Sequence, residues 1–262
     1  MTFTETARRD RASADRREVD RPSLRETWPI GWADVAALLG AFAAFVGLGW
    51  IIGIAIVSLS DTPLGRFDSA VSDWFAARRT PTLDMLTDFG SGLSDTMTVV
   101  AVIGIVSAVM LFGWRRWREP LVLMSALLLE VCSFVTIAAL VGRDRPPIGQ
   151  LDPSPPTSGF PSGHTAAAVA LYVGIALIVH WNTKNVIARR WSIALAVFAP
   201  LAVAVSRMYR GMHYLTDVTV GALLGAACLA VAVALIKRRD ANLPTPPIVG
   251  DQNQQESMRT SS

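Results

Sequence analysis

Apolar residues in this chain gather into six long runs, at Ala33–Leu59, Thr96–Gly113, Pro120–Val141, His164–Trp181, Trp191–Val205 and Tyr214–Ile236. Most approach the roughly 20 residues that an α-helix needs to cross a bilayer. None shows the strict two-residue alternation of a half-buried strand. The pattern predicts an all-α polytopic membrane protein with six transmembrane helices in a bundle over residues 32–237. On either side, residues 1–31 and 238–262 carry polar, charged, Pro, Gln and Ser residues without apolar periodicity, and read as disordered cytoplasmic tails. The first apolar run follows a long polar tail and has no small-residue cleavage site, so it reads as a span rather than a signal peptide.

Between the first two spans, Asp61 to Asp95 is too polar to cross a membrane and too long for a turn. Phe67, Val71, Trp74 and Phe75 recur at i, i+4, i+7 and i+8, which predicts an amphipathic helix with one greasy stripe. Such a helix fits the outer membrane surface, and the same stripe fits a helix packed on the outer ends of the bundle. In the last span Gly221 and Gly225 form a small-xxx-small face suited to close helix packing.

Composition agrees with a membrane protein: 52% hydrophobic and 17% charged residues, with a mean hydropathy of +0.40. A formal charge of +3 gives no reason to expect a nucleic-acid partner, and nothing specifies an oligomeric state. With both termini placed inside, 17 of the 24 basic residues lie on the inner side and seven on the outer, so the chain reads as N-in, C-in. Trp28, Trp32, Trp114, Trp117, Trp181 and Trp191 flank the inner ends of spans as an interfacial belt. The Arg bias, 22 Arg to two Lys, and the Ala-rich helices suggest a bacterial source, which would make the outer face extracytoplasmic. Cys132 and Cys228 lie inside apolar runs and read as buried small hydrophobes. His180, beside Trp181, reads as an interfacial anchor. Glu130, about 20 Å below the outer end of its helix, reads as a neutral or hydrogen-bonded structural acid.

Candidate chemistry collects at one membrane face. Spans three and five run outward while four and six begin outside, which brings together Gly142–Pro147, Pro161–Thr165 and Ser206–Asp217. Two of the three histidines, His164 and His213, fall there. In Pro161-Ser162-Gly163-His164 a Pro and a Gly precede an apolar helix, so Ser162 or a neighbour is the expected N-cap and the first backbone N–H groups suit an anion. Gly163 would let a phosphate approach the backbone. His213 and Asp217 are four apart at the start of span six, where the carboxylate would hold the imidazole tautomer. Arg145 and Arg207 offer fork-shaped donors for phosphate oxygens, while Arg210 fits phosphate and the lipid surface equally.

The same residues carry a family resemblance. The chain resembles the type 2 phosphatidic acid phosphatase superfamily, which includes membrane lipid phosphatases and vanadium haloperoxidases. Pro161-Ser162-Gly163-His164 matches the family's second motif, and Ser206-Arg207 followed by His213 and Asp217 matches the third. The first motif keeps Arg145-Pro146 but has Ala138 where the family has Lys. The missing cationic contact is worth about 1.5–3 kcal/mol, and Arg143 is the residue placed to replace it.

The resemblance implies a phosphatase in which His213 attacks phosphorus to form a phosphohistidine and Asp217 orients it. His164 protonates the leaving oxygen and then activates water. Arg145, Arg207, Ser162, Gly163 and Arg143 hold the phosphate, without metal or other cofactor. The expected substrate is a lipid monophosphate or diphosphate at the extracytoplasmic face: an undecaprenyl or decaprenyl diphosphate, phosphatidic acid or phosphatidylglycerol phosphate. The rival reading is a non-catalytic lipid-phosphate-binding or transport-associated membrane protein whose first motif has decayed at Ala138.

Overall fold

The computed structural model describes residues 31–113, 117–153 and 157–242. Apart from Gly31 and 238–242, the two tails lie outside the described residues, as do Trp28, Trp114, Arg115, Arg116 and Arg259. Among the described residues eight helices follow one another: α1 (Trp32–Ser58), α2 (Pro63–Ala76), α3 (Pro81–Gly92), α4 (Thr96–Ala108, continued by a π-helical turn at Val109–Gly113), α5 (Arg118–Val141), α6 (Gly163–Asn182), α7 (Val186–Tyr209) and α8 (Leu215–Asn242). Among the described residues there is no strand. The chain divides into two compact units at Ala36/Ala37. In the first, the Gly31 N–H donates to Asp34 Oδ2 at 2.8 Å and secures the start of α1.

Five helices, α1, α5, α6, α7 and α8, are long and apolar enough to span a membrane. A sixth span exists if α3 and α4, bent by 46° at a short break, count as one. Among the described residues the protein is thus all-helical, with the five or six candidate spans of an integral membrane protein. The expected second span, Thr96–Gly113, loses its α-helical geometry after Ala108 and is completed by the π turn.

The expected fifth span was too short. α7 starts at Val186, capped by Asn185 Oδ1 accepting from the Ile187 and Ala188 N–H groups, and runs through Pro200 to Tyr209. Arg189, Arg190 and Arg207 lie within its terminal turns, and those charges truncated the apolar run read from sequence. α8 likewise continues through Asn242 rather than stopping at Lys237, since basic residues favour a helix C-terminus.

The core lies among α5, α6, α7 and α8, and glycine governs how closely they approach. A Cβ on Gly221 would stand 2.4 Å from the Ser162 carbonyl oxygen, and one on Gly225 would stand 2.1 Å from that of Ala166. The paired glycines therefore bring α8 onto the first turns of α6, as their spacing predicted. Phe160, Ile137, Leu224 and Cys228 form a second buried layer, against which Phe42, Phe45 and Ile52 of α1 pack. Cys228 is buried but Cys132 is exposed on α5. The outside of a membrane helix is apolar too, so an apolar run alone does not tell core from lipid-facing positions.

The segment between α1 and α4 forms two helices rather than one. Pro63 and Pro81 each open a helix, following N-cap residues Thr62 and Thr80. Half of the apolar stripe of α2 faces outward, with Phe67 58% and Trp74 51% exposed, while Asp68 and Ser72 are buried. The other half of the stripe turns toward the bundle: Val71 and Phe75 are half-buried, and the Phe75 ring meets that of Tyr209 of α7 edge-on, 6.3 Å between centroids.

Candidate active site

The C-terminal ends of α5 and α7 and the N-terminal ends of α6 and α8 surround the three expected stretches. Ser162 caps α6: its Oγ accepts from the Thr165 N–H at 3.5 Å and lies 3.0 Å from Thr165 Oγ1. Its own N–H donates to the Asp217 carbonyl at 3.0 Å, which ties the cap to α8. At Gly163 a side chain would meet the Phe134 ring at 2.8 Å. Packing against α5 thus already requires glycine there, whatever ligand approaches.

His213 lies in the turn before α8 and is buried. Its Nδ1 is 2.7 Å from the Gly159 carbonyl oxygen. A carbonyl only accepts, so Nδ1 carries the hydrogen and Nε2 keeps its lone pair. Burial first, and the nearby Arg207 cation second, push the His213 pKa well below the usual 6.5, although the Gly159 hydrogen bond opposes the shift. The imidazole is therefore neutral at neutral pH.

Asp217 does not orient this ring as expected. α8 begins at Leu215, after His213, so the two residues are not a pair on one helix face. The closest approach is 4.0 Å, between His213 Nδ1 and Asp217 Oδ2. Asp217 Oδ2 instead accepts from the Tyr214 N–H at 2.7 Å, capping α8, and Oδ1 accepts from Arg143. The task assigned to this carboxylate falls to the Gly159 carbonyl.

Arg143 is engaged too. It donates to Asp217, to Thr216 Oγ1 at 2.7 Å and to Asp68 Oδ2 at 2.9 Å, and its guanidinium lies 4.3 Å from the centre of the Tyr214 ring. Asp68 also accepts from the Thr216 N–H at 3.1 Å. Buried Asp68 of α2 thus joins Arg143 to the first turn of α8. Arg143 is thus anchored to two carboxylates, and Ala138 itself is packed at 1% exposure.

Two arginines remain beside the histidines. Arg145 donates to the Met212 carbonyl at 2.8 Å and to that of Thr157 at 3.2 Å. Arg207 donates from Nη1 to Asp152 Oδ2 at 2.8 Å and to Ser91 Oγ at 2.9 Å. Its buried Nε–H has no partner among the described residues. A guanidinium carries five N–H donors, so anchored Arg145 and Arg207 retain hydrogens for an anion. Arg210 is committed elsewhere, to Asp152 Oδ1 at 2.6 Å and the Asp84 carbonyl at 3.0 Å. His164 is partly open, with its side chain 32% exposed and Nε2 3.1 Å from Asp95 Oδ1.

Sequence reading missed Gly159, Asp68, Ser91 and Asp95. The Gly159 carbonyl carries no side-chain signal at all. Asp68 borders the greasy stripe of α2, and Asp95 precedes an apolar run as an N-cap residue would; both could have been marked.

A sequence comparison points the same way as the motifs. Residues 119–241 match the PAP2 superfamily. The resemblance read from the motifs stands, and all three PAP2 motifs fall inside the matched region.

Among solved structures, the chain is similar to the first transmembrane PAP2 type phosphatidylglycerolphosphate phosphatase from Bacillus subtilis. The identity is 22% and the TM-score 0.63, over 77% of this chain and 96% of that one. LpxE of Aquifex aeolicus is similar at 22% identity and a TM-score of 0.50, over 63% of this chain and 93% of that one. No curated protein sequence matches. The two likenesses show the fold, which is that of the transmembrane PAP2 type protein from Bacillus subtilis. Elsewhere in the bundle, His180 Nδ1 bonds the Ala176 carbonyl at 2.9 Å, and Glu130 Oε1 is buried without a partner among the described residues.

Proposed function

We propose that the protein is a phosphatase of lipid phosphates or diphosphates that works at the extracytoplasmic face through a phosphohistidine, without metal. The observation that carries the reading is His213: a buried, neutral imidazole whose Nδ1–H is spent on Gly159, leaving the Nε2 lone pair free beside Arg207 and Arg145. A binding protein needs cations around phosphate but has no use for an imidazole kept neutral by burial and arginine.

His213 Nε2 attacks phosphorus, forming the N–P bond as the ester or anhydride P–O bond breaks. The leaving oxygen takes a proton from the His164 imidazolium. Water then attacks the phosphohistidine while neutral His164 removes its proton. The N–P bond breaks, and its electron pair returns to His213. Arg145, the Arg207 Nε–H and the α6 N-terminus at Ser162 and Gly163 hold the oxygens as charge builds. Asp217 acts at one remove, by fixing the first turn of α8 behind His213.

The placement of charge supports the chosen face. The site lies at one end of α5 to α8, while Arg118, Lys184, Arg189 and Arg190 lie at or beside the other ends of these helices. Candidate substrates remain the prenyl diphosphates, phosphatidic acid and phosphatidylglycerol phosphate; the last is the kind of molecule that names the Bacillus subtilis neighbour. Phosphate release measured with EDTA present, for the wild type and His213→Ala, tests the reading. Release by the wild type alone supports it, whereas equal release by the variant removes the nucleophile.

A further inference from the structure

The break between α3 and α4 lies outside the region matched to PAP2, and none of the three motifs includes it. It nevertheless touches two motif residues. Ser91 Oγ accepts from Arg207 Nη1 at 2.9 Å, and Asp95 Oδ1 stands 3.1 Å from His164 Nε2. The break is pinned on two sides. Tyr172 of α6 donates its OH to the Leu93 carbonyl at 2.7 Å. On the α7 side, a Cβ on Gly90 would lie 2.3 Å from Ser206 Oγ, so α3 sits directly on the helix that carries Arg207. Irregular backbone at the depth of a membrane helix persists where protein surrounds it or where it lines a polar cavity. Here it delivers a carboxylate to a histidine.

We propose that Asp95 is a positioning residue for His164, holding its ring and supporting its charged form. The inference rests on the phosphatase reading for its kinetic consequences, though not for the pairing itself. An ionised carboxylate only accepts, so the bond places a hydrogen on Nε2. Nδ1 is then the atom that exchanges the proton with the leaving oxygen and with water. Orientation of an imidazole by a carboxylate on its other nitrogen fixes the tautomer and stabilises the imidazolium.

The charges acting on His164 come from several elements: Arg207 of α7, Asp152 of the loop before α6 and Asp95 at the head of α4, while the titratable ring of His213, before α8, is neutral. Arg207 and Asp152 pair with one another at 2.8 Å, so the carboxylate bonded directly to the ring is the stronger support for its positive form. Asp95 is 58% exposed, so solvent screens part of its effect.

The experiment compares full-length wild type, Asp95→Asn and Asp95→Glu in detergent, with phosphatidic acid and a prenyl diphosphate as probes. The titration of His164 is read separately by NMR on protein carrying 15N-histidine. The chain has three histidines, and loss of one signal in His164→Asn assigns the resonance.

In Asp95→Asn we expect kcat to fall about tenfold or more with KM within about twofold. The basic limb of kcat and the His164 titration both move to lower pH, and Asp95→Glu restores most of each. An unchanged limb and titration overturn the proposal, even where kcat falls, because a merely structural Asp95 predicts that result. If the wild type hydrolyses neither probe, the phosphatase reading suffers alone: a shifted NMR titration still upholds the pairing, and an unshifted one overturns it.

Discussion

At the scale of single residues, the site depends on which polar groups are already satisfied. Among the described residues, His213 has one nitrogen bonded and one free, and Arg207 has an N–H with no partner. Asp217 and Arg143 satisfy each other. Replacing His213 by Ala should lower turnover by at least about 10³-fold, the scale seen when a nucleophile acting in a catalytic unit is removed. Undiminished phosphate release from the folded variant contradicts this.

Protonation gives a second prediction. The folded-state pKa of His213 is depressed, so the neutral, attacking form persists as pH falls through 6.5 and is lost only well below it. The acid limb of kcat/KM for the free enzyme should therefore lie well below pH 6.5. The sign carries over to stability: the unfolded chain binds the proton first, so this residue makes folding less favourable as pH drops below about 6.5. An acid limb at or above pH 6.5 would show that His213 is not the nucleophile or is not buried in the working enzyme.

At the scale of helices, the first turns of α6 and α8 are held together by the absence of two side chains. Gly225→Val places a branched residue where even a Cβ would stand 2.1 Å from the Ala166 carbonyl oxygen. It should cost about 1–3 kcal/mol or more and lower the midpoint of thermal unfolding in detergent. Gly104→Ala on α4, where a Cβ meets nothing within 4 Å, should be neutral or slightly stabilising. Equal midpoints for the two variants would mean that α6 and α8 do not pack as closely as described.

The element scale also shows where sequence was sufficient. Apolar run length located the helices because a bilayer imposes nearly the same requirement on every span. It erred at the ends of α7 and α8, where arginine and lysine extend a helix into the interface. It also missed the break before α4, which depends on how Gly90 and Tyr172 seat that turn on α7 and α6. The stripe on α2 was legible, but its direction was not: Asp68 faces inward because Arg143 and Thr216 await it there.

At the scale of the whole molecule, four helix ends meet at one pole of the bundle, and the up-down order of the helices makes that meeting unavoidable once the spans are drawn. His164, His213, Arg145 and Arg207 were accordingly identified from sequence as neighbours. The roles of Asp217 and Arg143 were not, since they depend on side-chain pairing at the head of α8 that no spacing rule specifies. The outward apolar face of α2, with Trp74 51% exposed and Arg78 stacked 4.0 Å over its ring, belongs to this scale too. We expect it to lie in lipid. In vesicles containing brominated lipid, a variant retaining Trp74 and no other tryptophan should be quenched by the lipid; unquenched emission would place α2 in water.

The central claim, that this bundle hydrolyses a lipid phosphate, is tested most directly by phosphate release from detergent-purified protein with EDTA present. The panel should cover prenyl diphosphates, phosphatidic acid and phosphatidylglycerol phosphate. We predict release by the wild type from at least one of them, following its head group, and none by His213→Ala. No release from any substrate by a folded preparation would contradict the account and favour a binding protein, with Ala138 in place of the motif lysine as the first position to alter.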